Sequence, residues 1–260
     1  MMHVTDFSMD LFSLKGKNAI VTGGNSGLGQ AFSVALAKGG ANVMTVSIAD
    51  DYGETKQWVE SCGVDYRYVH GDITADGVCA RVVKECVESW GSIDILINSA
   101  GICINVEDVT QFERKDWDKM AAVNLTAVFE MTHEACKYMT RQKSGKIINI
   151  ASIYSFLGGK WSPAYAATKH GIVGLTKTMC DELAEFNIQV NAIAPGYFAT
   201  KLTEKTRNDE KRNAEILSHI PANRWGMTSD LMGACIYLSS DASNYVNGTV
   251  LTVDGGYLMR

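Results

Sequence analysis

Seven short apolar runs punctuate the chain: residues 18–23 (NAIVTG), 41–47 (ANVMTVS), 65–71 (DYRYVHG), 93–101 (IDILINSAG), 145–152 (GKIINIAS), 188–196 (IQVNAIAPG) and 248–256 (GTVLTVDGG). Most are nearly continuous in aliphatic and β-branched residues, the pattern of strands covered on both faces. Between them lie amphipathic stretches with helical spacing, at 29–40, 75–91 and, longest, 118–142. Strand–helix alternation of this kind predicts right-handed βαβ crossovers. The expected fold is α/β: a single Rossmann-type doubly wound domain with a seven-stranded parallel sheet flanked by helices. Only three prolines occur, no linker or repeat interrupts the alternation, and one domain spanning residues 1–260 is expected.

Composition narrows the class of function. Of the 260 residues, 46% are hydrophobic and 20% charged, as in an ordinary globular protein. Twenty-four basic against 29 acidic residues give a net charge of −5 with no basic run, which argues against a nucleic-acid partner. The opening stretch MMHVTDFSMDLFSLKGK has no continuous apolar segment and nothing approaches a membrane span. No membrane partner and a cytoplasmic location are the expectation. The seven cysteines are odd in number, scattered and without a C-x-x-C pair. Free thiols are expected, and no metal site.

In a doubly wound sheet the ligand sits at the carboxyl ends of the strands, so the strand exits are the places to look. The first ends in TGGNSGLG, with Gly23, Gly27 and Gly29 between a strand and a helix. Glycines there permit a tight turn, let the backbone approach a pyrophosphate and present the free N–H groups of a helix start to the anion. Further on, AYAATKHG sets Tyr165 and Lys169 four apart. On a helix that spacing puts phenol and ammonium on one face, which is either an acid–base pair or an ordinary exposed face.

These motifs together resemble the short-chain dehydrogenase/reductase family: T-G-x-x-x-G-x-G over residues 22–29, N-S-A-G at 98–101, Ser152 ahead of Tyr165 and Lys169, then Pro195–Gly196. One departure is N-S-A-G where the family usually has N-N-A-G. The resemblance implies Tyr165 as catalytic acid/base, Ser152 holding and polarising the substrate oxygen, and Lys169 on the nicotinamide ribose. It implies that Asn124, an amide in an apolar helical stretch, holds a water linking Lys169 to solvent. A free phenol has a pKa of about 10; a lysine cation about 5 Å away at an effective dielectric of ~20 favours the phenolate by about 3 kcal/mol. A phenol lowered by about two pKa units is therefore expected. The implied dinucleotide site comprises Gly23, Asn25, Ser26, Gly27, Leu28, Gly29, Ser47, Asp72, Ile73, Asn98, Ala100, Gly101, Tyr165, Lys169, Pro195, Gly196 and Thr200. Asp72 is either an adenine contact or a cap for the following segment.

Within that family, the stretch 214–260 and KIINIASIYSFLGGKWSPAYAATKHG are similar to the bacterial 2-deoxy-D-gluconate 3-dehydrogenases, also called 2-dehydro-3-deoxy-D-gluconate 5-dehydrogenases. That resemblance implies a sugar acid or polyol as substrate and a homotetramer. The alternatives are a gluconate or sugar-alcohol dehydrogenase, a 3-oxoacyl reductase, or a non-catalytic dinucleotide-binding redox sensor. Candidate substrate residues are Ser152, Tyr154, Trp161 and a cation for a carboxylate: Lys160, Lys201, Arg207 or Arg224. NAD is expected over NADP, because no Lys or Arg occurs from 41 to 55, while Asp50, Asp51 and Glu54 make that stretch acidic. Ser47 stands where NAD enzymes of the family usually carry an aspartate; the 2′-OH contact is then either its hydroxyl, a weaker discriminator than a carboxylate, or Asp50 or Asp51 reaching back, each of which is equally read as a solvated loop charge.

Overall fold

A computed structural model describes residues 7–260; the beginning of the N-terminal stretch read above lies outside them. Strands β1 (Asn18–Thr22), β2 (Asn42–Ser47) and β3 (Tyr66–His70) alternate with helices α1 (Gly27–Gly39), α2 (Glu54–Glu60) and α3 (Val78–Trp90). β4 (Ile95–Asn98) leads through a long loop to α4 (Arg114–Ala121) and α5 (Ala127–Gln142), then β5 (Gly145–Ile150), α6 (Pro163–Leu183) and β6 (Ile188–Pro195). Short helices α7 (Glu204–Asn208) and α8 (Glu210–His219) precede α9 (Met232–Ser239) and β7 (Val250–Val253).

All seven strands pair in parallel in the order β3-β2-β1-β4-β5-β6-β7. The continuous apolar runs are explained by burial: every residue of β1, β4, β5 and β6 is buried, between one apolar layer around Phe32, Leu36 and Leu238 and another around Met44, Val82, Leu96 and Met131. Strand order reverses between β1 and β4, which opens the crevice where such sheets bind ligands. Among the described residues no helix is long and apolar enough to cross a membrane.

One expected element differs. The helical spacing over 118–142 is not one helix: α4 ends at Ala121, a π-helical turn occupies Ala122–Thr126, and α5 follows. The apolar stripe runs through the break, so periodicity alone does not see it. Its cause is Asn124, whose side chain is fully buried and bonds outside the helix. Its Oδ1 accepts from Ile102 N at 2.8 Å and its Nδ2 donates to Ile102 O at 2.8 Å. The amide fastens the loop leaving β4, and the extra residue in the turn gives it the reach.

Candidate active site

The glycine turn is built by close approach. Gly23 has φ +65°, and a Cβ there would stand 3.1 Å from Ala100 Cα across the crevice. A Cβ on Gly29 would collide with the Gly23 carbonyl, so α1 starts tight against the turn. Thr22 Oγ1 accepts from Ser99 N and Ala100 N, both at 3.0 Å, which fixes the two strand exits to each other. Ser26 precedes α1 without a side-chain cap, so no side chain competes for the first-turn N–H groups. Asn25 donates to the carbonyls of Ala49 and Asp50 at 2.9 and 3.3 Å, while its Oδ1 is shut from solvent with no partner. An uncapped helix start, glycines in contact and an orphaned amide oxygen fit a dinucleotide that brings its own polar groups.

At the end of β2, the Ser47 hydroxyl accepts from Ala49 N at 3.2 Å. Asp51 does not reach back toward the ribose position. Its carboxylate accepts from Tyr66 Oη at 2.8 Å and from Gly53 N at 3.2 Å. His70, which sequence reading passed over, bonds the Ile48 carbonyl at 3.1 Å. Asp72 accepts from the backbone and hydroxyl of Thr74, which holds its carboxyl below the usual range. It stabilises that turn and does not cap α3, whose N-cap is Gly77. Ile73 is buried beside it. Asn98 ties β4 to α5 and β5, donating to Thr132 Oγ1 and Asn149 Oδ1, while its own Oδ1 is buried without a partner. Gly196 is required by space, since a Cβ would stand 2.7 Å from Asp254. Thr200 starts a short 3-10 turn just beyond it.

Ser152, Tyr165 and Lys169 meet at the end of β5. Ser152 is 6% exposed and accepts from Tyr154 N at 3.2 Å, so its own proton stays available. α6 begins with Pro163 at its first turn, where proline's missing N–H costs nothing. Two residues on stands Tyr165, and one turn later Lys169, 5% exposed, with Nζ 5.6 Å from the Tyr165 ring centre. Lys169 Nζ donates to Ile150 O at 2.6 Å. Asn124 Oδ1 and Lys169 Nζ lie 3.4 and 3.8 Å from where a Cβ on Gly101 would stand, so all three border one space.

The expected lysine-lowered phenol is not what these side chains produce. Burial raises Tyr165 above the ordinary phenol range, the Cys103 thiol adds to the rise, and the Ser152 hydroxyl opposes it. Burial lowers Lys169 to about 8. Both shifts disfavour the charged forms, so these side chains alone do not hold a phenolate beside an ammonium. A phenolate at neutral pH needs a further positive charge.

The wall facing this trio comes from several loops. Tyr154 packs edge-on against Tyr165, with centroids 6.0 Å apart, and its hydroxyl lies 2.8 Å from that of Tyr197. Cys103, on the loop after β4, also faces Tyr154 and Tyr165. Of the candidate cations, Lys160 is exposed over the Trp161 ring at 4.8 Å, and Lys201 is exposed beside Glu204 and Asp209. Arg207 is turned inward to donate to Thr200 O, and Arg224 grips Asp230 with both nitrogens. The structure therefore brings neither arginine to the trio. A cation not singled out from sequence, Arg212 on α8, has Cζ 5.2 Å from the Trp161 ring centre.

Parallel order 3-2-1-4-5-6-7, a glycine turn at the switch point and a Ser–Tyr–Lys trio at the end of β5 are features of an oxidoreductase that uses a nicotinamide dinucleotide. A family model described as enoyl-(acyl carrier protein) reductase matches residues 23–258. The chain belongs to the short-chain dehydrogenase/reductase family, and it is an enzyme of that family. It is 59% identical to the uncharacterized oxidoreductase YgcW of Escherichia coli K12, over 98% of this chain and 97% of that one. It is 46% identical to the 2-dehydro-3-deoxy-D-gluconate 5-dehydrogenase of the same organism, over 97% and 99%. A crystal structure of a gluconate 5-dehydrogenase from Burkholderia cenocepacia, in complex with NADP and tartrate, superposes with a TM-score of 0.91 at 35% identity, covering 96% of this chain and 98% of that one.

Proposed function

We propose that this chain interconverts a secondary hydroxyl and a ketone on a sugar acid of the 2-deoxy-D-gluconate or 2-dehydro-3-deoxy-D-gluconate type, with NAD as hydride carrier. The observation that carries the reading is the convergence of Ser152, Tyr165 and Lys169 at the end of β5, beneath a wall of hydroxyls and a guanidinium. The names of the relatives, all sugar-acid enzymes where a substrate is given among those above, support the substrate class. The dinucleotide, held by the glycine turn, Ser47, Asp72 and Thr200, supplies the hydride-accepting ring and a positive charge when oxidised.

This chain's own residues manage the proton. Ser152 donates its free hydroxyl to the substrate oxygen and holds it against Tyr165. The phenol takes or gives the proton of that oxygen, and Lys169 passes charge to and from the phenol's surroundings. Asn124 fastens the Ile102 backbone and borders, with Lys169, the space at Gly101, the position at which a water would join the relay.

NAD is favoured by the β2 exit. The region from 41 to 55 holds no cation, and its negative field contributes to the raised Tyr68 phenol, after burial, through Asp50 and Asp51. The Burkholderia relative binds NADP, so kinship alone does not select the cofactor, and the argument rests on that acidic edge. A homotetramer in the cytoplasm belongs to the same proposal; Trp117 on α4 and Phe129 on α5, 41% and 47% exposed, are the apolar side chains such an assembly would cover. The test is a panel of sugar acids and neutral polyols followed at the nicotinamide absorbance. Turnover concentrated on keto-gluconates and deoxy-gluconates is the expected result, and equal turnover of hexitols would sink the substrate class.

A further inference from the structure

We propose that Arg212 is the residue that binds the substrate's carboxylate, with the Tyr154–Tyr197 hydroxyl pair completing that end of the pocket. The proposal rests on the sugar-acid reading above and assigns the subsite that reading requires.

Arg212 differs from Arg207 and Arg224, whose nitrogens are engaged with Thr200 and Asp230, in lying against the Trp161 ring, and from the exposed Lys160 and Lys201 in standing on a seated helix. Asp209 caps α8 by accepting from Arg212 N at 3.0 Å. The next residue, Asn213, accepts from Trp225 Nε1 at 2.7 Å, and Ile216 is buried one turn later. These contacts seat one face of α8 on the molecule and lay the Arg212 guanidinium by Trp161. Trp161 itself is set in a costly conformation, with φ +72°, in the left-handed region that a bulky residue avoids. Two contacts keep the loop there: its carbonyl accepts from Val106 N at 2.8 Å, and the neighbouring Ser162 hydroxyl donates to Ile104 O at 2.7 Å. Strain that persists because neighbours impose it marks a placed side chain. Here the placed ring gives a guanidinium a π face to lie against.

One nitrogen of Arg212, Nη1, pairs with Glu215 at 3.0 Å. Its other N–H groups have no hydrogen bond among the described residues, so part of a planar fork suited to a carboxylate remains unused. The side chain is 31% exposed, which makes such a pair stronger than one on the open surface. Its charge reaches the catalytic wall, lowering the phenols of both Tyr154 and Tyr197 against the burial that raises them. Tyr154 is in turn one aromatic contact away from Tyr165. A substrate whose reacting oxygen lies on Ser152 and Tyr165, and whose carboxylate lies several atoms along the chain, meets Arg212 and the two hydroxyls there. A neutral polyol leaves the guanidinium without an anion.

The experiment measures kcat and KM for a keto-gluconate or deoxy-gluconate and for the matching neutral polyol, in the wild type, Arg212→Met and Arg212→Lys. The expected result is a KM for the acid raised about 100-fold by Arg212→Met and about tenfold by Arg212→Lys, with kcat changed far less and the polyol constants unmoved. The lysine variant keeps the charge and loses the fork, and it decides alone if the methionine variant does not fold. If acid and polyol suffer equally, Arg212 acts only by holding α8, and the assignment is wrong. If the wild type prefers the acid and the variants keep that preference, the Arg212 subsite falls while the sugar-acid reading stands. A wild type that does not distinguish acid from polyol overturns both.

Discussion

Strand β5 has a buried lysine at each end, and the two ends do different things. Lys146, near the start of the strand, is 8% exposed; Lys169, which bonds the carbonyl of the last residue, is 5% exposed. Burial lowers both to about 8. At the amino end, Lys146 donates to Asn244 Oδ1 at 2.8 Å and to Ser243 Oγ at 3.4 Å, and Asp241 pulls its pKa partly back up. Its bonded partners are an amide and a hydroxyl, with Asp241 and Lys17 as charges nearby, around a cavity of about 50 Å³, room for a water or two. At the carboxyl end, Lys169 shares its space with a partly buried phenol, a serine with a free proton and a glycine turn that leaves an anion site open. A perturbed pKa therefore does not identify a site. What does is whether the neighbours can accept or release a proton at a place a substrate can enter.

The comparison is broken most severely at Tyr165. Tyr165→Phe keeps the ring packed against Tyr154 and removes only the proton, so turnover should fall by about 100-fold or more while dinucleotide binding holds. Near-normal turnover would move the acid–base role elsewhere. Lys169→Met should cost about tenfold or more in kcat, since the charge beside the phenol disappears. Lys146→Met, with the same burial and the same lowered pKa, should leave kcat within about twofold. A comparable loss from both substitutions would show that the two ends of β5 are not separate in function.

How far this was legible from the sequence follows the same division. The glycine turn was readable because Gly23 and Gly29 answer to local backbone geometry, and the strand exits were readable because the buried strands are continuous apolar runs. The π turn at Asn124 was hidden, since the apolar spacing continues through it; only the buried amide hinted that something outside the helix must satisfy it. The phenol's direction was missed because a two-charge argument omits burial, the largest influence on both Tyr165 and Lys169. Arg212 was missed for a different reason. It stands in a polar stretch with several other cations, and what singles it out is Trp161, far upstream, brought beneath it by folding.

The cofactor prediction is smaller and concerns the other half of the crevice. A ratio of kcat/KM for NAD over NADP of about ten is expected, from the acidic β2 edge and the lack of a cation there. Because Asp51 is tied to Tyr66 and Gly53, Asp51→Asn should change that ratio little. Ser47→Arg should shift it toward NADP by placing a cation at the strand exit. A wild-type ratio favouring NADP would overturn the reading of the β2 edge and leave the Ser–Tyr–Lys trio untouched.

The smallest effect is on stability, and its sign separates the lysines from the rest of the protein. A lysine free in the unfolded chain titrates near 10.5, so lowering it to about 8 means that the unfolded state binds more protons between those values. Each buried lysine therefore carries a penalty, up to about 3 kcal/mol, that is complete below pH 8 and disappears as the pH approaches 10.5. Replacing either by methionine should raise the Tm at pH 7 by a few degrees, less whatever its lost hydrogen bonds contributed. The advantage over wild type should shrink through pH 8 to 10.5. The comparison must be made as a difference, because the thiols of buried Cys79 and half-buried Cys136, raised to about 11, and of buried Cys86 and Cys235, raised to about 12, destabilise every variant in the same range. For Lys169→Met the gain would come with lost turnover, and for Lys146→Met without it. A pH-independent difference in Tm would mean that burial lowers neither lysine's pKa, and the shared physics of the two ends would be wrong.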